Sequence, residues 1–479
     1  MNTQDFIQKI KNNEIDIVEH THKVIDECKK INKEYNYFNF ISEELAVQQA
    51  ETLKNEIKKK NSQRGKKIQN KKLLGIVVSV KDSICVKNVE STAGSKILRG
   101  YKPLFDATVI KKIKDEGGII IGKTSQDEFG FGSFSVNVGI DFKVPKNPFD
   151  KGRSCGGSSG GAGGIAQKAS FHHIALGEST GGSIASPSSF CGVYGLCPTY
   201  GRVSRYGLID YGNSLDKIGP MGKSIYDVAL MQEVISGYDK KDSTSLNIEY
   251  KKNSSPKKNF FRIGIIKEAF GKGNDNEVEK KVSESIDKLK EHGAKCEEIS
   301  LELPIKYGLP VYYMIATSEA STNLAKYCGM RYGSSDKLEG SFNEFFTKVR
   351  SEYFGDETKR RIILGTFARM SGFRDAYYIK AAKVRTLIIE EYKKAFRKFD
   401  VLVSPTSPIL PPKFSEIEKL TPLQNYMMDV MLVGPNLAGL PHLNVPVGFE
   451  KNLPVGMLLI SDHLQEEKLM QLGSWFDNA

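Results

Sequence analysis

Residues 153–163 read RSCGGSSGGAG, and residues 176–190 read LGESTGGSIASPSSF. The first stretch has a glycine pair on each side of its two central serines, and the second has a pair before Ser183, so that backbone N–H groups can approach a bound group closely. Such converging donors make either a phosphate cradle or an oxyanion hole, and glycine alone does not decide between them. Because apolar residues such as Ile174, Leu176 and Phe190 punctuate the region, we interpret residues 152–219 as a folded, glycine-dense active-site region and not as a flexible linker.

Outside this region, short apolar runs alternate with amphipathic segments, which is typical of an α/β fold. Strands are predicted at 73–80 (LLGIVVSV), 117–123 (GGIIIGK) and 173–177 (HIALG), and a helix at 108–115. The second half restarts the alternation with a strand at 262–268, a helix at 276–292 and strands at 401–404, 443–447 and 457–460. We expect this half to complete the same sheet.

The domain organisation follows from the same patterns. Residues 1–72 carry apolar positions at helical spacing and predict an N-terminal helical arm. Residues 73–479 are predicted to form the main domain, with a soft internal boundary near 239–258, where the sequence is polar and lacks periodicity.

One lysine, Lys81, directly follows the strand predicted at 73–80. Two serine turns together with a lysine at a strand end favour a Ser–Ser–Lys relay, an alternative to Ser–His–Asp. A histidine-based triad is disfavoured, because His172 and His173 begin a predicted strand and no GxSxG elbow occurs in a strand–turn–helix context. A lysine acts as a base only when neutral, which requires a dry pocket. The apolar run before Lys81 supplies one.

A phosphate-loop pattern, GxxxxGKS/T, occurs at Gly117, Gly122, Lys123 and Thr124. The residues between the glycines are mostly apolar and β-branched, so they favour a buried strand over the exposed turn that a phosphate loop requires. We therefore predict a core strand here and no ATP site in this chain.

The 479-residue chain has a formal net charge of +12, and much of the excess lies at 54–72 and 251–258. These stretches carry no interleaved aromatic residues, which is typical of solvated helix ends and linkers and argues against direct base readout. Weak electrostatic attraction to RNA stays open.

The seven cysteines are scattered without a CxxC pair, which predicts a reducing cytoplasm and no structural metal. No secretion signal or membrane span is expected, because the start lacks a basic segment with an apolar run and the longest apolar stretches are short.

Taken together, these motifs resemble the amidase signature family. The resemblance rests on residues 77–95 (VVSVKDSICVKNVESTAGS), on the GGSSGG of 156–161 and on residues 180–209, and it spans almost the whole chain. It implies the amidase signature fold: one large mixed β-sheet core flanked by helices on both faces, with the N-terminal helical arm. It also implies Ser183 as the nucleophile, Ser158 on a cis peptide after Gly157 as the relay serine, and Lys81 as the base. Ser159 stays open as the alternative relay serine.

The serine loop matches the family with some departures. By likeness, the backbone N–H groups of Thr180, Gly181 and Gly182 form the oxyanion hole. Ser179 stands where the family usually has Asp, Ala185 where it usually has Arg, and Cys155 at a common proline position. The two lost charges normally brace the loop, so weaker bracing is expected, although the relay itself is intact.

A finer likeness is to the glutaminase subunits of tRNA-dependent amidotransferases, which are called the A subunits. It is carried by residues 123–133 (KTSQDEFGFGS), 312–324, 360–378 and 436–448. It implies a cytoplasmic member of a heterotrimer, which supplies ammonia to a B subunit while a small C subunit clasps the glutaminase. The B subunit then converts Glu-tRNA(Gln) to Gln-tRNA(Gln), or Asp-tRNA(Asn) to Asn-tRNA(Asn), with ATP and Mg²⁺. No cofactor is implied for this chain itself.

Free glutamine offers an α-carboxylate and an α-ammonium, which call for one fixed cation and one fixed anion. By likeness, Arg361 would hold the carboxylate and Asp429 the ammonium, and Arg360 stays open in place of Arg361. A stand-alone amidase acting on small amides is the first rival, but it need not recognise both ends of an amino acid. A non-catalytic RNA-binding scaffold is the second, but it has no need of a lysine and two serines together.

Overall fold

A computed structural model describes residues 1–59, 68–250 and 260–477. Within these residues eleven strands form one sheet, in the spatial order β1-β3-β2-β4-β6-β5-β10-β11-β9-β7-β8. The strands are β1 (Phe38–Ile41), β2 (Val77–Lys81), β3 (Ile119–Thr124), β4 (His173–Ser179), β5 (Tyr194–Cys197), β6 (Lys217–Gly222), β7 (Arg262–Ile266), β8 (Lys295–Ile299), β9 (Val401–Pro405), β10 (His442–Glu450) and β11 (Leu453–Ser461). Parallel pairs (β3 with β2, β2 with β4) and antiparallel pairs (β4 with β6, β10 with β11) both occur. The predicted mixed sheet is thus confirmed.

The helices pack around this sheet. They are α1 (Thr3–Lys11), α2 (Ile17–Tyr35), α3 (Glu43–Lys58), α4 (Thr108–Asp115), α5 (Gly160–Lys168), α6 (Ala185–Cys191), α7 (Ile225–Ile235), α8 (Asn276–Glu291), α9 (Glu302–Asn323), α10 (Phe342–Tyr353), α11 (Asp356–Arg369), α12 (Lys380–Phe396), α13 (Phe414–Ile417), α14 (Pro422–Met427), α15 (Val433–Leu437) and α16 (Glu466–Gly473). The helices predicted at 108–115 and 276–292 are confirmed as α4 and α8. None of the helices in the described residues is long and apolar enough to cross a membrane.

Strand β11 shows that helices cover both faces of the sheet. Leu458 and Ile460 belong to one apolar cluster, with residues of α9 and α12, whereas Met457 and Leu459 belong to another, with residues of α8 and α16. Because successive side chains of a strand point to opposite faces, the two clusters lie on opposite sides.

The sequence predicted a wholly helical arm over the first 72 residues, and the structure differs. These residues also contain β1, which pairs antiparallel with β3 at the end of the sheet. The periodicity of the surrounding helices hid this strand because it is only four residues long. The division of the chain at residue 72 stays a prediction. The described residues include only the first part of the boundary predicted at 239–258, and they do not include the basic stretch 251–258. The centre of the basic stretch 54–72 also lies outside them.

The segment with phosphate-loop letters is a buried strand, β3, as predicted. The ammonium of Lys123 donates to the main-chain oxygen of Ile84 at 2.7 Å and to the hydroxyl of Ser91 at 2.8 Å. Its side chain therefore holds the segment that follows β2.

Strand β8 lies at the opposite end of the sheet from β1 and is polar. Its sequence is KCEEI, and Lys295, Glu297 and Glu298 are exposed. In contrast, every residue of β2, β3 and β4 is buried. These three parallel strands end at the same edge of the sheet, where ligands commonly bind in α/β proteins. Lys81 is the last residue of β2, and the serine loop follows the last residue of β4.

Candidate active site

Lys81 is completely buried at the end of β2. Its Nζ lies 2.7 Å from Ser158 Oγ and 2.9 Å from both the main-chain oxygen and Oε2 of Glu178. The amine thus contacts one hydroxyl and two oxygens of a single acidic residue.

Ser158 lies in the glycine-dense turn before α5, and the Gly157–Ser158 peptide bond is cis, as the family resemblance implies. The turn is tight, since a Cβ on Gly157 would lie 2.4 Å from the carboxylate of Asp127. Ser159 points elsewhere, because its hydroxyl donates to the main-chain oxygen of Glu178 at 3.1 Å. The structure therefore brings Ser158, and not Ser159, against Lys81.

Ser183 lies in the loop between β4 and α6, beside the first serine turn. Its main-chain oxygen accepts a hydrogen bond from the backbone N–H of Ser159 at 3.2 Å. Ser183 is 6% exposed, whereas Lys81 and Ser158 are 0% exposed. Of the three, Ser183 is thus the residue that a substrate can reach.

Hydrogen bonds brace the serine loop where the family's usual Asp and Arg are missing. Ser179 donates its hydroxyl to the main-chain oxygen of Gly181 at 3.1 Å, and the side-chain amide of Asn436 donates to the same oxygen. Ala185 is buried at the start of α6. At Gly181 the loop is therefore held by two neutral donors.

Arg361 and Arg360 of α11 both contact Glu357, but they differ in burial. Arg361 is buried, and its guanidinium donates to Glu357 at 2.7 Å and to the hydroxyl of Tyr211 at 2.6 Å. The side chain of Arg360 is 43% exposed. Arg361 is thus the arginine on the inside of the protein.

Asp429 is buried against the serine loop. Its Oδ2 accepts a hydrogen bond from the hydroxyl of Ser133 at 2.7 Å, while Oδ1 has no hydrogen-bond partner among the described residues. A Cβ on Gly182 would lie 2.5 Å from that Oδ1. Burial raises the pKa of Asp429 to about 6, although the Ser133 hydroxyl and the charge of Arg361 oppose the rise. The free Oδ1 of Asp429 therefore lies next to Gly182, the residue before Ser183.

The sequence did not single out Glu178, Asp216 or Asp127. Thr180 Oγ1 lies 2.9 Å from Glu178 Oε1 and 2.8 Å from Asp216 Oδ1. Asp127 accepts backbone N–H bonds from Ser135 and Asn137, and burial raises its pKa to about 7. The strand prediction could have pointed to Glu178. Parallel strands that end at the same edge of a sheet bring their last residues side by side, and Lys81 lies at the end of β2 as Glu178 does near the end of β4.

The structure thus gathers the predicted serines, lysine, arginine and aspartate around one edge of the sheet, while their catalytic and binding roles stay predictions. The chain belongs to the Amidase family, whose model matches residues 19–470.

The names of individual relatives are more specific than that of the family. The chain is 49% identical over 405 residues to the A subunit of glutamyl-tRNA(Gln) amidotransferase from Archaeoglobus fulgidus, in a match that covers 84% of this chain and 86% of that protein. It is 43% identical to the protein of the same name from Trichodesmium erythraeum, over 99% of this chain and 97% of the relative. Among solved structures, it is similar to the A subunit of glutamyl-tRNA(Gln) amidotransferase from Thermotoga maritima, with 32% identity, a TM-score of 0.76 and coverage of 96% and 92%.

Proposed function

We propose that this chain is the glutaminase subunit of a tRNA-dependent amidotransferase. It hydrolyses glutamine to supply ammonia for converting Glu-tRNA(Gln) to Gln-tRNA(Gln), or Asp-tRNA(Asn) to Asn-tRNA(Asn). The observation that carries the proposal is the unpartnered oxygen of Asp429 against the serine loop, with the buried cation of Arg361 close enough to influence its carboxyl group. An anion and a cation beside a serine nucleophile fit a free amino acid.

The reaction proceeds through an ester on Ser183. Its hydroxyl oxygen attacks the side-chain amide carbon of glutamine, its proton passes to Ser158 Oγ, and the proton of Ser158 passes to Lys81 Nζ. The backbone N–H groups of the loop at Thr180, Gly181 and Gly182 stabilise the negative oxygen that forms. The proton returns to the leaving nitrogen, so ammonia departs. Water then attacks the glutamyl ester, and glutamate is released.

The partners and cofactors follow from the proposed reaction. Ammonia passes to a B subunit, which activates the misacylated tRNA with ATP and Mg²⁺, and a C subunit completes the heterotrimer. This chain needs no cofactor, because the serine, the relay and the base are its own side chains. The names of the relatives favour Glu-tRNA(Gln) as the substrate of the complex. A cytoplasmic location is supported by the seven cysteines, all unpaired.

A stand-alone amidase would use the same serine–serine–lysine relay without partners. The buried Arg361 and Asp429 argue against it, since a simple amide has no charged ends to bind.

Ammonia release from glutamine tests the proposal. The purified chain is assayed alone and together with B and C subunits, ATP and misacylated tRNA, beside Ser183→Ala and the matched control Ser186→Ala. We expect activity that rises with the partners, is lost in Ser183→Ala and persists in Ser186→Ala. Hydrolysis of simple amides with no activity on glutamine in any mixture would favour the stand-alone amidase.

A further inference from the structure

The hydrogen-bond neighbours of Lys81 restrict the direction of its lone pair. A neutral amine has two N–H donors and one lone pair, and Lys81 has three close oxygens. Two of these belong to Glu178: a main-chain oxygen that can only accept, and a carboxylate oxygen that only accepts when it is charged. With both N–H groups donated to Glu178, the lone pair is left for the hydroxyl of Ser158, which has a proton to give.

A second chain of contacts keeps the Glu178 carboxyl group charged. The Thr180 hydroxyl lies between oxygens of Glu178 and Asp216 but has only one proton to donate. One of the two acids must therefore carry a proton. Burial, and then repulsion from Glu178, holds the pKa of Asp216 well above its ordinary value. We place that proton on Asp216, which then donates to Thr180, and Thr180 donates to Glu178.

We propose that Glu178 is a positioning residue: it aims the lone pair of Lys81 at Ser158, and its carboxylate beside the amine determines where the acid limb of the pH profile lies. Burial of an amine favours its neutral form, and an adjacent carboxylate favours the ammonium, so Glu178 opposes the effect of burial. A base works best when it loses its proton near the working pH. The inference rests on the proposed function, in which Lys81 is the base.

Two other titratable groups face Lys81 and Glu178, and the experiment below accounts for both. Asp127 comes from the loop after β3, and Cys197 comes from β5. Burial raises the pKa of Cys197, so its thiol stays neutral at neutral pH. Asp127 has a pKa of about 7 and titrates within the range of the experiment. Asp127 is unchanged in the variants described below. If Asp127 controlled the acid limb of the pH profile, that limb would therefore stay in place in those variants.

The test is the acid limb of the pH profile of kcat/KM for glutamine, measured on the assembled complex. Glu178→Gln keeps the size and an acceptor oxygen but removes the charge. We expect its acid limb to move to lower pH by about 1 to 3 units, the shift typical of losing an adjacent opposite charge. Asp216→Asn is the matched control, since it also removes a buried acid but keeps the donor to Thr180. Its limb should stay at the wild-type position.

Glu178→Ala separates orientation from charge. It has the same charge as Glu178→Gln but no side-chain oxygen to accept from Lys81, so that only the main-chain oxygen of residue 178 still orients the amine, and its kcat should be lower than that of Glu178→Gln by about tenfold or more. Thermal unfolding verifies that each variant is folded. An acid limb that stays in place in Glu178→Gln, moves to higher pH, or moves equally in Asp216→Asn would overturn the inference, as would equal kcat values for the Gln and Ala variants.

A second readout separates this inference from the proposed function. The rate at which a fluorophosphonate labels Ser183 depends on the relay but not on recognition of glutamine. If glutamine is not hydrolysed but the labelling profile of Glu178→Gln moves to lower pH, the function is wrong and the role of Glu178 stands. If glutamine is hydrolysed and neither profile moves, the role of Glu178 is wrong.

Discussion

Replacing Asp429 with asparagine should weaken glutamine hydrolysis and at the same time stabilise the fold. The carboxylate is 6% exposed and has one free oxygen, and its pKa is raised from 3.8 to about 6. An asparagine side chain would keep the size and could still accept a hydrogen bond from Ser133. It would lack the charge that the α-ammonium of glutamine requires.

The stability change follows from linkage between proton binding and folding. The folded carboxyl group binds its proton more tightly than the unfolded one, so stability falls as the pH rises from about 4 to about 6. A difference of about two pKa units costs the charged protein about 3 kcal/mol. Asp429→Asn should therefore be more stable than the wild type by up to about 3 kcal/mol at neutral pH. Below about pH 4, where the carboxyl group is protonated in both states, this advantage should disappear.

The activity change follows from the lost contact with substrate. A hydrogen bond to a charged group contributes about 1.5 to 3 kcal/mol, which corresponds to a loss of roughly 10- to 150-fold in kcat/KM for glutamine. A simple amide without an ammonium group should be hydrolysed at an unchanged rate. We would measure ammonia release from both substrates, and the free energy of unfolding at two pH values, for the wild type and Asp429→Asn. An equal loss on both substrates, or lower stability at neutral pH, would mean that the carboxylate is a structural partner of Ser133 and would refute the reasoning.

Three further predictions concern neighbouring residues. Arg361→Ala should lower kcat/KM for glutamine and destabilise the fold by about 1 to 3 kcal/mol, because Glu357 and the buried Tyr211 hydroxyl each lose a charged donor, although Glu357 keeps Arg360. Arg360→Ala should cost less than Arg361→Ala, because the side chain of Arg360 is 43% exposed and Glu357 keeps its buried partner Arg361, and similar losses in both variants would contradict the inward placement of Arg361. Ser159→Ala should retain most of the glutaminase activity, and a loss as large as in a relay-serine variant, about 100-fold or more, would restore Ser159 as the relay candidate. Gly182→Ala should abolish glutamine hydrolysis in a protein that is still folded, because the added methyl group would collide with the buried free carboxylate oxygen; full activity would place the substrate elsewhere.

The sequence predicted seven of the eleven strands in the described residues, because most of these seven are apolar runs that must be buried on both faces. The runs at 73–80, 117–123 and 457–460 all correspond to strands of the sheet, displaced by a few residues. Strands β1, β5, β6 and β8 were not predicted. β1 and β8 lie at the ends of the sheet, where partial exposure permits polar residues and weakens the alternation. β5 (YGLC) and β6 (KIGPMG) are central and buried, but glycine, and in β6 also proline, interrupts their apolar pattern.

In the site, residues that belong to a motif were easier to predict than the residues that support them. The structure brings Ser158 to Lys81 and turns Arg361 inward, where the sequence had left Ser159 and Arg360 open. Glu178 was visible in the motif LGESTGG, but its contact with Lys81 depends on the register between β2 and β4, and one sequence does not fix that register. Asp216 lies further along the chain, in a segment that carries no motif.

The polar strand β8 has a consequence for the behaviour of the protein at high concentration. An open sheet ends in unpaired backbone groups that can template hydrogen bonding to a second molecule, which is a route to aggregation. Along β8 the exposed Lys295, Glu297 and Glu298 would have to lose their hydration before another strand could dock there. At the other end, β1 is only four residues long and offers little length for such pairing. Both ends therefore favour a sheet that ends within its own molecule, even at high protein concentration.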